Sequence, residues 1–289
     1  MCNFKTYCAA RLPRWAVLAS SPISLICLGR CDPSALHSNR SRRFFEVPKT
    51  VFLLAALLVS ATSFAADVKT LLKQADEYRL NLESARVDTE VRVFKGDALD
   101  KTRLYTVYIK PERRSLVVFR SPVERGQKML MLGDDFWLVM PSSARPLRIT
   151  PMQKLLGDAS TGDVATLTWS GDYDGKIVGE EKVGDIVCHK LDIVGQRKGV
   201  SYPRIVLYVA KNGSFPVKAE LYVASDKLAK MAEFKMGNVD GRKQVTTMIL
   251  TDHLQKDRRT EVHYLSRSAK TLSDEYYNPA FLVRAEIDN

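Results

Sequence analysis

Cysteine is scarce in this chain. Of five cysteines in 289 residues, Cys2, Cys8, Cys27 and Cys31 precede residue 66, and only Cys188 follows it. A region with one cysteine has no internal disulfide and no cysteine-based metal cluster, so its apolar core must hold it together. Histidine is equally thin after that point: His189, His253 and His263, with no pair at the i, i+4 spacing of a helical metal site. No Gly-x-Ser-x-Gly elbow and no phosphate-cradling glycine loop occurs. Asp172-Tyr173-Asp174-Gly175 opens like a calcium loop but lacks the later ligands and the closing glutamate, so it reads as a turn. No catalytic residue, metal or cofactor is called for, and the chain reads as a non-enzyme.

Long hydrophobic runs are also missing. The longest, Val51–Val59, is far short of the roughly 20 apolar residues that span a bilayer. It follows Lys49 and precedes Ser63-Phe64-Ala65, a small-x-small cleavage pattern. Residues 47–65 therefore read as a signal peptide cut after Ala65, which places the mature protein in the periplasm. Residues 1–46, rich in Arg, Cys and Ser, read as an unstructured leader or an over-extended reading frame. Residues 66–289 read as one domain, a length that suits a single sizeable core. The net charge of +11 falls to +5 there, from 36 Lys+Arg against 31 Asp+Glu. An excess that mild, spread along the chain, marks a solvated surface and argues against nucleic acid as a partner.

What is present is alternation. After one helical pattern over 67–82 (Val68, Leu71, Leu72, Ala75, Tyr78), the apolar period changes from 3.6 to two. Strand patterns follow at 87–93, 105–109, 116–120, 129–132, 136–140, 186–194, 204–210, 216–223, 230–235, 244–251 and 260–266. Turn signals punctuate them at Gly133-Asp134-Asp135, Lys211-Asn212-Gly213 and Val239-Asp240-Gly241. Many short strands with few helices imply a mainly β protein whose antiparallel sheet curls into a barrel or half-barrel. One interruption is apolar: Thr150-Pro151-Met152-Gln153 has the form of a helix start, with Met152, Leu155 and Leu156 on one face and Gly157 as the stop.

Several segments, taken in order, resemble the outer-membrane lipoprotein-sorting protein family in its LolA-like branch. They are Arg120-Ser-Pro-Val-Glu-Arg-Gly126, Phe136-Trp-Leu-Val-Met-Pro141 with Arg148-Ile149, Asp172-Tyr-Asp174 with Gly179-Glu-Glu-Lys-Val183, Cys188-His-Lys-Leu191, Ile205-Val-Leu-Tyr-Val209 with Phe215-Pro-Val-Lys218, and Met248 with Thr251-Asp-His253. Where relatives tend to carry Gly-Ser/Thr-Asp-Phe, this chain has Gly157-Asp-Ala-Ser-Thr-Gly-Asp163. The resemblance implies a strongly curved antiparallel sheet, an incomplete β-barrel, with helices covering its concave side. It also implies a periplasmic carrier that holds lipid or lipoprotein acyl chains in an apolar cavity, working alongside an inner-membrane transporter. The rival expectation is a non-catalytic accessory module for an envelope transporter, with a filled core and no bound lipid.

Methionine adapts to varied apolar ligands. Met129, Met131 and Met140 gather around the central hairpin with Phe136 and Leu138. With Met152, Leu155 and Leu156 on the short helix as a lid, these eight residues are the expected lining of the acyl-chain cavity.

Overall fold

A computed structural model describes residues 67–153, 159, 161–165 and 168–287. The expected leader and signal peptide, and Leu155 and Leu156, lie outside the described residues.

The helix α1 (Asp67–Arg79) forms where the 3.6 period is. It buries Val68, Leu71, Leu72 and Ala75 along one stripe. It stops three residues before the pattern does: Leu80 N–H still bonds back to Asp76 O, but Leu80 and Leu82 then continue over the core without helical backbone.

Thirteen strands follow: β1 (Ala85–Lys95), β2 (Ala98–Lys110), β3 (Arg114–Phe119), β4 (Lys128–Leu132), β5 (Asp135–Val139), β6 (Leu147–Ile149), β7 (Tyr173–Val183), β8 (Ile186–Gly195), β9 (Arg204–Ala210), β10 (Pro216–Tyr222), β11 (Leu228–Val239), β12 (Arg242–Asp252) and β13 (Arg258–Ala269). They make one antiparallel sheet in the order β6-β5-β4-β3-β2-β1-β13-β12-β11-β10-β9-β8-β7. Every neighbour is sequential except β1 and β13, which close the meander on itself. The edges are therefore β6 and β7, and the sheet is an incomplete barrel open between them. Residues 150–172 are the connection from one edge to the other. Part of this connection is the short helix α2 (Thr161–Ala165).

The turns follow local chemistry. Asp240 and Gly241 both take positive φ, 51° and 78°, which a two-residue hairpin of the correct twist requires. Four elements depart from the sequence expectation. Asp172–Gly175 is not an isolated turn: β7 begins at Tyr173. As an edge strand β7 is mostly exposed and carries little apolar alternation, so period two was not visible. The three residues of β6 are too few to show a period. The C-terminal 3-10 turn Asp274–Tyr277 and the helix α3 (Pro279–Leu282) went unforeseen, because so short a pair of turns has no repeat.

Register separates the two faces of the sheet. Ala85, Val87, Tyr105, Val107, Val117, Phe119, Met129, Met131 and Phe136 join the inner core with α1. Tyr108, Leu116, Val118, Leu130 and Val139 point the other way and are covered by Tyr277 and Leu282 of the C-terminal segment. Cys188 is fully buried in a third cluster with Val206 and Tyr208, a strand cysteine in an apolar setting that pushes its thiol pKa up. Among the described residues no helix is long and apolar enough to cross a membrane.

Candidate functional site

The expected lining residues fall into three groups. Met129 pairs directly with Leu138, and Met131 with Phe136, across β4 and β5, so all four side chains share one face. Register puts that face inward, opposite Val117 and Ser115 of β3. Met152, half-buried, packs against the same inner core from the edge-to-edge connection. Met140 lies just past the end of β5, half-buried, with its carbonyl accepting Ser143 N–H. Of the six described residues, Met131 is the one that lines an open groove.

That groove has a volume of about 490 Å³. Its floor is apolar, from Leu80, Leu82, Ile109, Met131 and Ala165; its rim is charged, from Glu83, Lys110 and the β2–β3 turn. It lies at the end of the sheet where β2 turns into β3, under the exit of α1. A second, smaller space of about 50 Å³ sits deeper, walled by Trp169, Tyr173, Ile205, Leu221, Phe234 and Met248. That volume has room for a few waters and not for an acyl chain. Arg113, Thr168 and Asp172 border both spaces.

The edge-to-edge connection fills the concave side between them. Its Ala159, Val164, Ala165 and Trp169 are all buried in the inner core. Gly162 is required where α2 meets the loop before β9, since a Cβ there would fall 1.6 Å from Ser201 Oγ. Three buried carboxylates tie the connection down, each to a different wall. Asp76 of α1 accepts Trp169 N–H at 2.7 Å and Ser170 N–H at 2.8 Å. Asp163 of α2 pairs with Lys230 of β11 at 2.6 Å, both side chains 4% exposed, and accepts the Tyr202 hydroxyl at 3.3 Å. Asp172 pairs with Arg113 of the β2–β3 turn and lies 3.7 Å from Arg197.

The electrostatics are those of charges removed from water. Burial pushes the Asp76 carboxyl above its ordinary range, against the pull of its amide donors and of Arg79. Burial likewise lowers the Arg113 pKa, partly offset by Asp134. Arg113 holds its place at a backbone cost. Glu112 and Arg113 both sit at positive φ, 64° and 56°, which non-glycine residues rarely adopt. In return its guanidinium donates to Gly133 O at 3.2 Å and Gly199 O at 3.3 Å as well as to Asp172. Arg79, 5% exposed, stacks 4.2 Å over the Trp169 ring, with Phe234 at 5.7 Å.

Sequence reading did not nominate Arg79, Arg113, Asp76, Asp163 or Lys230. Arg79 closes an otherwise apolar helical stripe, and Lys230 alternates in phase with buried positions; each is a detectable breach of pattern. Among the described residues no group of three or more His, Cys, Asp or Glu side chains could hold a metal ion. The arrangement offers an apolar floor, a charged rim and a tethered insert.

Comparison with known proteins adds a lineage. A family model described as an uncharacterized protein matches residues 111–284, more than half of the chain. No curated protein matches. Among solved structures, the chain is similar to a LolA superfamily protein from Nitrosomonas europaea, at 29% identity and a TM-score of 0.68 over 75% of this chain and 98% of that one. It is also similar in fold to a DUF1329 family protein from Desulfovibrio piger, at 24% identity and a TM-score of 0.62, over 76% of this chain and 100% of that one. An outer membrane lipoprotein-sorting protein domain from Vibrio parahaemolyticus shares the fold at 19% identity and a TM-score of 0.63, again over 76% and 100%.

Proposed function

The chain belongs to a LolA-like family, and on that premise we propose that it is a non-catalytic periplasmic carrier of lipid or lipoprotein acyl chains. The observation that carries this reading is the groove of about 490 Å³ with its floor of Leu80, Leu82, Ile109, Met131 and Ala165. It falls within the roughly 300–1,000 Å³ of ordinary ligand sites. Each methylene moved from water onto such a floor contributes about 0.8 kcal/mol, so ten of them contribute about 8 kcal/mol with no polar contact. The anionic or polar end of the ligand would stay at the charged rim. Deeper entry along Met129, Phe136, Leu138 and Met152 requires the edge-to-edge connection to shift, because Met129, Phe136 and Met152 are packed in the inner core and none of the four borders the groove. The carrier would receive and deliver its cargo beside an inner-membrane transporter, after export directed by residues 47–65.

The same small inner volume favours a second reading, an accessory module whose core is already full. Native mass spectrometry of protein purified from its own envelope separates the two. The carrier reading expects a lipid-sized adduct that organic extraction removes. Protein that flies only at its sequence mass, and that takes up no added fatty acid, would point to the accessory module.

A further inference from the structure

The walls of the groove limit what it can carry. Ile109 of β2 pairs with Ser115 of β3, and Ser115 with Met131 of β4, so Ile109 and Met131 lie on one inward row. Leu80 and Leu82 meet that row from the end of α1, and Ala165 of α2 completes the floor. Ala165 is fixed there, because the buried pair Asp163–Lys230 at 2.6 Å and the close packing of Gly162 on Ser201 hold α2. On its inward side the groove stops at Arg113, Thr168 and Asp172, which it shares with the deeper space of about 50 Å³. The Arg113–Asp172 pair, with side chains 14% and 5% exposed, makes this boundary a partition. Beyond it Trp169, Tyr173 and Phe234 are packed in the inner core.

Volume then sets the number of chains. A methylene takes up roughly the 30 Å³ of a water in the liquid, so a groove of about 490 Å³ holds about sixteen methylenes, one ordinary acyl chain. Two such chains would need about 1,000 Å³ and three about 1,500 Å³, which these walls do not give. The rim sets the head. Its three cations are all matched: Lys110 and Arg114 share Asp274, Arg114 also reaches Glu112 at 3.4 Å, and Arg113 holds Asp172 and lies 3.7 Å from Asp134. Glu83, exposed on the rim just before β1, makes no hydrogen bond or ion pair among the described residues. A net-anionic head therefore meets no spare cation, whereas an ammonium meets a free carboxylate.

Resting on the carrier reading above, we propose that the cargo is a single-chain lipid with an amine-bearing head, its one acyl chain on the floor beside Met131 and its ammonium beside Glu83. Lipids and lipoproteins with two or three chains are then excluded by the partition at Arg113–Asp172 and by the tether on α2.

Displacement of a fluorescent acyl probe below the micelle concentration, with native mass spectrometry for stoichiometry, tests this. Lysophosphatidylethanolamine should bind one per protein, tightening by about fourfold per added methylene until the chain nears about sixteen carbons and then levelling off. Dipalmitoyl phosphatidylethanolamine should bind at least about tenfold more weakly, because its second chain stays in water. Leu82→Trp, at a half-buried position on the floor, should shorten the chain at which binding levels off. Wild type should prefer lysophosphatidylethanolamine over lysophosphatidylglycerol by about two- to fivefold, and Glu83→Lys, at an exposed position, should reverse that preference. Two lipids per protein, two-chain binding as tight as single-chain binding, or a Glu83→Lys protein with the wild-type preference would overturn the proposal and leave the carrier standing. Failure of every lipid to bind, the acyl probe included, would remove the carrier reading itself and the proposal with it.

Discussion

The strand β3 presents apolar side chains on both faces, and the two faces meet different fates. Outward, Leu116 and Val118 are covered by the chain itself: Tyr277 and Leu282 pack on them. The covering segment is tied down by Asp274 to Lys110 and Arg114 and by Leu282 O to Lys128. Inward, Val117 and Phe119 share their face with Met129 and Met131, where α1 and the edge-to-edge connection fill most of the concavity and leave a groove beside Met131. Over Leu116 the outer cover is a closed core, held by Tyr277 and Leu282, with an open depression at its far end between Val118 and Ile287. The inner cover is an insert, held by three carboxylates and bordered by open space. Apolarity alone does not distinguish the two; what covers each face does.

Charge substitutions turn that contrast into numbers. Leu116→Asp places an unpaired carboxylate in the sealed outer core, where Leu116 is 0% exposed. It should cost at least about 4 kcal/mol and leave little folded protein by circular dichroism at room temperature. Next in size is Lys230→Met, which strands the buried Asp163 carboxylate that now pairs with it at 2.6 Å. A loss of about 3 kcal/mol is expected in urea unfolding, with the added signature that amide exchange quickens in α2 before it does in the sheet. If the loss stays under about 0.5 kcal/mol, the pair does not hold the insert.

Met131→Glu is the counterpart to Leu116→Asp on the inner face. Its side chain borders the groove, so the new carboxylate can turn toward water. The expected cost is about 1–2 kcal/mol, with the fold retained. A cost equal to that of Leu116→Asp would erase the contrast between the faces.

The smallest effect is a slope. Burial raises the folded pKa of Asp76 above its ordinary 3.8. The native state therefore binds that proton more tightly than the unfolded chain does. Its contribution to stability is full below pH 3.8 and is lost as pH rises through the raised folded value. Asp76→Asn removes this titration. Wild-type stability, measured relative to the variant, should fall as pH rises from about 4 toward neutrality, whatever constant offset the lost carboxylate bonds impose. A difference that is flat with pH would mean that Asp76 is not held above its ordinary range.

Much of the sheet was legible because its strands alternate. The 204–210 pattern matches β9 residue for residue, since both its ends are marked by Arg204 and by the turn at Lys211-Asn212-Gly213. The pairings Met129–Leu138 and Met131–Phe136 follow from a two-residue turn at Gly133-Asp134, which fixes the register of β4 and β5. The rest was hidden for identifiable reasons. An edge strand such as β7 needs no apolar face on its exposed length, so it shows no period. The ties at Asp163–Lys230 and Arg113–Asp172 join residues 67 and 59 positions apart, and no local pattern announces a partner so distant. The C-terminal cover is a string of short turns whose apolar residues look like an ordinary tail until Leu116 and Tyr108 are seen beneath them.

The central claim is that an acyl chain lies on the inner face beside Met131. Methyl NMR of methionine-labelled protein with a nitroxide-labelled fatty acid tests it most directly. Met131 borders the groove, whereas Met231 alternates with the exposed Glu233 and Lys235 on the outer side of β11. Broadening of the Met131 methyl at one equivalent of probe, with Met231 left sharp, is the predicted result. Equal broadening of both, or none at Met131 at saturating probe, would contradict the account.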